Sequence, residues 1–230
     1  MPLSDPPWSL WLAIHVHSCR SPRGSADGRM MATAGQRCLN PYLDSLSGVP
    51  VGDLPVPPAF DAVTSWAGAG RVVRAVESDV ATWRLPEPQK AALVSCGVPL
   101  IDDLVDAVSF NAEPTMYWLA RIDDDVLDVA WKYGAVPGRG KVLQVGSSDG
   151  SARFVNSTIN HWLCSLHLVG NWLTGSTVIG HWDEDERAEE EALAELADLS
   201  EQIRALDPPA FGDGDHETHL WPAVLDRWLY

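Results

Sequence analysis

Three side chains able to ligate a metal, His161, Cys164 and His167, recur within "NSTINHWLCSLHLVGNWL". On a helix their i, i+3, i+6 spacing lays them in one stripe opposite Leu163 and Leu166, and imidazole and thiolate are ligands that zinc accepts. The stripe is incomplete for that purpose. Its ends lie more than a turn apart, no fourth ligand is specified, and zinc helices pair ligands at i, i+3 or i, i+4 as in H-E-x-x-H. A polar face turned to solvent or to a partner is the better reading. "DGDHETH", Asp213 to His219, gathers carboxylates and two histidines but lacks the EF-hand glutamate and the zincin spacing, so it reads as a loop. "DDD" at Asp123 to Asp125 reads as an exposed turn rather than a cation site. Cys96 falls at the C-terminal end of a helix, where the dipole disfavours a thiolate nucleophile.

The complete enzyme signatures are missing as well. There is no G-x-G-x-x-G after a strand, no G-x-x-x-x-G-K-[ST] and no G-x-S-x-G elbow, so no catalytic residue, no cofactor and no metal is assigned. Of the eleven tryptophans, Trp118, Trp131, Trp162, Trp221 and Trp228 lie on apolar faces where core packing explains them. Trp172 and Trp182, flanking "LTGSTVIGH", are expected at the surface. The formal charge of −16, with 32 Asp and Glu against 16 Lys and Arg, argues against a nucleic-acid partner, because phosphate binding needs a basic patch and no Lys/Arg cluster is visible in the sequence. The densest acidic run is "DEDERAEEE", Asp183 to Glu191. Its carboxylates favour the N-terminus of the helix they open and keep that face solvated, or else they present a charged surface to a basic protein.

The compartment follows from the N-terminus and from one motif. Asn156-Ser157-Thr158 fits the glycosylation pattern N-x-[ST], which matters only on a secreted chain. The start "MPLSDPPWSLWLAIHVHSCRSPRG" has no Lys or Arg before its apolar run, unlike a signal peptide, and nothing approaches the ~18 apolar residues of a membrane span. Cys19, Cys38, Cys96 and Cys164 form no C-x-x-C pair. The reading is therefore cytoplasmic, with Asn156, Ser157 and Thr158 as a helix cap.

The elements that must position these residues can be read from periodicity. Residues 1–40 read as a disordered leader, or as the product of a start codon placed upstream of Met30 and Met31. Residues 41–69 hold a short helical candidate and a Pro-rich connector, and residues 70–230 the domain proper. "GRVVRAVE", Gly70 to Glu77, reads as a strand, and "LPEPQKAALVSCGVPL" as a helix opened by Pro86 or Pro88 and closed by Gly97. Strands are expected over Ala107 to Phe110, Met116 to Ile122, Val126 to Tyr133, Lys141 to Gly146 and Arg153 to Val155. A helix follows with Ile159, Trp162, Leu163, Leu166, Val169 and Leu173 on one face. A long acidic helix from about Asp183 to Leu206 buries Leu193, Leu196, Ile203 and Leu206, and a last one buries Trp221, Val224, Leu225 and Trp228. Strands in a block followed by helices predict an α+β domain with an antiparallel or mixed sheet.

Three stretches, in order, carry a family resemblance. "RVVRAVESDVATWRLPEPQKAALVSCGVPL" resembles the entry of the fourth SUKH immunity-protein subfamily, a "vvR" strand leading to a helix that ends in leucine, a spacer and G-x-P. "RFVNSTINHWLCSLHLVG" resembles its "vNsS" strand-to-helix junction, and "ALDPPAFGDGDHETHLWPAVL" its closing "iDp.af…W…vl" segment. The resemblance covers about Gly70 to Tyr230. It implies a non-enzymatic antidote that binds a toxin, often a nuclease or deaminase, of a bacterial competition system. Asp183, Glu184, Asp185, Glu189 and Glu190, with Trp172 and Trp182 beside them, are the residues expected to meet that partner; the oligomeric state is left open. Two other classes remain: a scaffold or regulatory protein on the same fold, and a metal-assisted hydrolase using His161, Cys164 and His167.

Overall fold

The computed structural model describes residues 54–124, 129–147 and 150–228. The leader expected over residues 1–40, with the alternative start at Met30 and Met31, lies outside them, as do Asp125 of the "DDD" turn and residues 126–128 of one expected strand.

The segment expected to be connector carries the first departure, a helix α1 at Phe60–Ala67. Its pattern is too short and too interrupted by polar residues to announce itself, and it is held by packing: Val63 is buried and the Arg74 guanidinium lies 4.4 Å from the centre of the Phe60 ring. The expected strand over Gly70 to Glu77 shrinks to β1, Val72–Val73, and helix α2, Glu77–Val80, begins where the strand call ended. The reason is the partner. After helix α3, Glu87–Ser95, with Pro86 as N-cap, the chain turns at Gly97 (φ 80°) and offers only β2, Val98–Pro99, for pairing. One more backbone bond follows, from the Leu100 N–H to the Arg71 carbonyl at 2.8 Å, before the two segments part. Gly97 is required twice over, because a Cβ there would sit 2.8 Å from Arg74 Cγ and 3.0 Å from the Val73 carbonyl oxygen.

A five-stranded antiparallel meander follows: β3 Ala107–Ala112, β4 Tyr117–Asp124, β5 Val129–Ala135, β6 Val142–Gly146 and β7 Ala152–Asn156, paired in sequence order. This is the α+β architecture expected, with the sheet antiparallel throughout. Alternation along β5 and β6 puts Tyr133 opposite Gln144 on the face covered by helix α4, Ile159–Gly175, where the Trp162 ring packs 5.5 Å from that of Tyr133. Trp162, Leu163, Leu166 and Val169 of α4 are buried, as the helical period predicts, each large side chain contributing about 1.5–3 kcal/mol.

Helix α5, Glu186–Leu206, packs along α4, and after a 3₁₀ turn at Pro208–Ala210 helix α6, Leu220–Arg227, closes the fold against β7 and α5. The buried stripe of α5 is Ala192, Leu196, Leu199 and Ile203, while Leu193 stays 39% exposed and Leu206 half-buried. Spacings of four, three and four form one seam, and Leu193 stands about 100° around the helix from Ala192. In α6, Trp221, Val224 and Leu225 are buried as expected, and Trp228 is half-buried beyond the helix end.

Candidate functional site

Strand β7 ends at Asn156 and α4 begins at Ile159, and the three residues of the sequon have different tasks. Thr158 is the N-cap, its hydroxyl oxygen accepting the His161 N–H at 3.3 Å. Asn156 and Ser157 do not cap. They hold Asp207, the C-cap of α5, which is 2% exposed. Asn156 Nδ2 and the Ser157 N–H donate to Asp207 Oδ2 at 2.9 and 2.7 Å, and the Ser157 hydroxyl donates to Oδ1 at 2.6 Å. The Asn156 oxygen in turn accepts from Trp221 Nε1 at 3.1 Å, and its amide also reaches Ser165 at 3.3 Å. A buried carboxylate is costly unless donors surround it, and charged acceptors make the stronger hydrogen bonds. β7, α4, α5 and α6 are thereby tied at one point. Asn156 is fully buried, so a glycan has no room on it in the folded chain.

Four polar types here could suggest acid–base chemistry, and their geometry does otherwise. A hydroxyl–imidazole–carboxylate relay needs the imidazole between the other two. Asp207 instead orients an amide and a hydroxyl, while His161 Nδ1 meets the Thr158 hydroxyl at 2.8 Å. Burial holds the His161 pKa below its ordinary value despite the nearby Asp207 charge. The first N–H of α4, at Ile159, is taken by Gln89 Oε1 at 3.2 Å, and Gln89 Nε2 donates to the Arg139 carbonyl. The helix start is thus consumed by internal partners, and the arrangement holds elements together rather than binding an anion.

The stripe of His161, Cys164 and His167 does lie along one side of α4, and residues 54–67 pack on its Cys164 and His167 members. The Pro55 carbonyl accepts from Asn160 at 3.0 Å, the Val56 carbonyl from the Cys164 thiol at 3.6 Å, and His167 Nδ1 from Trp66 Nε1 at 2.8 Å. Cys164 and His167 thus meet this chain, and all three members of the stripe are half-buried. Burial pushes the Cys164 thiol up to about 11 and that of Cys96 up to about 12, the inert end of thiol behaviour. Among the described residues no group of three His, Cys, Asp or Glu side chains converges as a metal site.

"DGDHETH" does structural work on the sheet edge. Asp215 accepts from the Glu217 N–H and the Thr218 hydroxyl, the first of which chiefly holds its carboxyl below the usual value. The loop so formed lets the Phe154 N–H of β7 donate to the Thr218 carbonyl at 2.7 Å, with the His219 ring edge-on to Phe154. An open strand edge is covered in this way. Asp123 and Asp124 belong to the end of β4.

Asp183, Glu184, Asp185, Glu189 and Glu190 are all exposed around the start of α5. Asp185 is its N-cap, accepting the Ala188 N–H at 2.8 Å, and Glu184 pairs with His181 at 2.9 Å. Trp182, in the same α4–α5 connection, is half-buried. Trp172, also half-buried, donates to Glu195 of α5 at 3.1 Å and stacks on Trp228 with ring centres 5.3 Å apart. The two tryptophans are thus partly spent on the fold. The cluster around Asp207 went unread because its members are separated by up to 65 residues; Asn156 with a downstream Asp-Pro and Trp was the available signal.

Curated proteins and solved structures offer no match to this chain. A family model, that of the SUKH-4 immunity proteins, matches residues 59–227, from the residue before α1 to the last residue of α6. It spans all three stretches in which the resemblance was read and the whole of the Asp207 junction, and the chain accordingly belongs to the SUKH-4 immunity protein family.

Proposed function

We propose that this protein protects its cell by binding a cognate toxin in the cytoplasm and blocking it without any turnover of its own. Membership in an immunity-protein family is the observation that carries this reading. The charge supports a basic toxin domain of nuclease or deaminase type: a surface at −16 attracts the cationic cleft with which such a domain holds phosphates, raises the encounter rate and repels nucleic acid itself. The contact surface we assign is the exposed start of α5, Asp183, Glu184, Asp185, Glu189 and Glu190, with Trp172 and Trp182 as its aromatic neighbours. Carboxylates there would steer, and the half-buried rings would supply apolar contact once water is excluded.

The test is co-expression with the toxin encoded beside this gene, purification of the pair and a salt series on binding kinetics. Going from low salt to physiological strength shortens the Debye length to about 8 Å, so association is expected to slow far more than dissociation. Reversing Asp183, Glu184, Glu189 and Glu190 to lysine, and leaving the capping Asp185 in place, should lower the association rate by about tenfold or more. Survival of the cells with no physical complex would sink the binding mechanism. A complex indifferent to salt and to charge reversal would remove the interface from α5.

A further inference from the structure

The contact between α1 and α4 has a chemistry that a plain packing contact would not need. Trp66 Nε1 can only donate, and it donates to His167 Nδ1 at 2.8 Å. The imidazole must then be neutral, with its proton on Nε2; the Asn171 amide nitrogen lies 2.9 Å from that atom, and turning the amide over by 180° brings its oxygen there to accept the proton. A second proton on His167 would set an N–H against an N–H. Beneath the indole, α4 has Gly170, where a Cβ would come within 2.2 Å of the Trp66 ring. The ring therefore sits in a notch that only glycine leaves open. The rest of the strap is tied by the two carbonyl contacts at Pro55 and Val56 and by Val63.

We propose that residues 54–67 form a pH-gated strap on α4, latched where Trp66 donates to His167 above Gly170 and released when that imidazole takes up a proton. The titratable and charged groups on the surrounding elements are His161 and Cys164 on α4, Asp61 on α1, Arg71 and Arg74 around β1, and Glu87, Lys90 and Cys96 on or beside α3; on α5, Glu195 is engaged with Trp172. Burial lowers the His167 pKa from its ordinary value. The sign follows from linkage. The latched form binds fewer protons, so latching is complete above the free imidazole value of about 6.5 and weakens as pH falls below it. Release would uncover Cys164 and His167.

Hydrogen exchange on the full chain at about pH 7.5 and about pH 5, corrected for intrinsic rates, reads the latch directly. Protection of the amides of α1 is expected to fall roughly tenfold or more at the lower pH, with the amides of β6 as an unchanged reference. His167→Gln keeps an acceptor that does not titrate and should hold the strap equally at both values. Gly170→Ala fills the notch and should leave it loose at both, and Trp66→Phe, which keeps a ring without the N–H, should show no pH step. The proposal is overturned if wild-type α1 is equally protected at both values, if His167→Gln keeps the wild-type step, or if β6 loses protection together with α1.

Discussion

Helix α5 has an aspartate at each end, and the two could hardly be used more differently. Asp185 is exposed at the N-terminus, where the helix dipole favours its charge and one backbone N–H needs an acceptor. Asp207 is buried at the C-terminus, where the dipole disfavours a negative charge, and it is tolerated because three donors from Asn156 and Ser157 surround it. The same residue type is a local cap in one place and a long-range tie in the other. Exposed carboxylates near Asp185 can change with little effect on the fold and are free to serve a partner; Asp207 is not.

Removing the buried member should break that comparison most severely. Asp207→Ala leaves the Ser157 N–H and hydroxyl without their acceptor and the Asn156 amide with only Ser165, and should cost about 3–5 kcal/mol in denaturant unfolding. A loss under about 1 kcal/mol would mean that the junction relaxes and the tie is not a tie. Asp185→Ala removes a single cap and should cost about 1 kcal/mol by the same measurement; equal losses at the two ends would erase the distinction. The smallest effect belongs to the reversal of Asp183, Glu184, Glu189 and Glu190. These exposed side chains are expected to change stability by no more than about 0.5 kcal/mol, so that any loss of toxin binding in that variant is read at the interface and not through unfolding.

How much was legible depended on how local the cause was. The five strands were readable because alternation along each is dictated by one apolar face and one outer face, and turns punctuate them. The buried face of α4 was readable for the same reason, with a different period. Helix α1 escapes the pattern because it stands on contacts to α4, 101 residues along the chain at Trp66 and His167, as well as to nearby β1. In α5 the period allowed either of two neighbouring stripes, and the small Ala192, not Leu193, went inside. The sequon was understood as structural, yet two of its three residues work through Asp207, some fifty residues later.

Sequence patterning alone carries the class of fold, the order of the five sheet strands and of the three helices after them, the acidity of the chain and, through three short stretches, the family. Those are properties of neighbours in the chain or of the whole composition, and periodicity, turn chemistry and charge express them without reference to anything distant. Contacts between distant elements set Asn156 and Ser157 on Asp207, bring residues 54–67 against Cys164 and His167 of α4, and stack Trp172 on Trp228. Each of these is a contact between elements brought together only when the core closes. Burial then turns an ordinary hydroxyl, amide or imidazole into an obligatory partner, because a polar group withdrawn from water must find its hydrogen bond inside the protein.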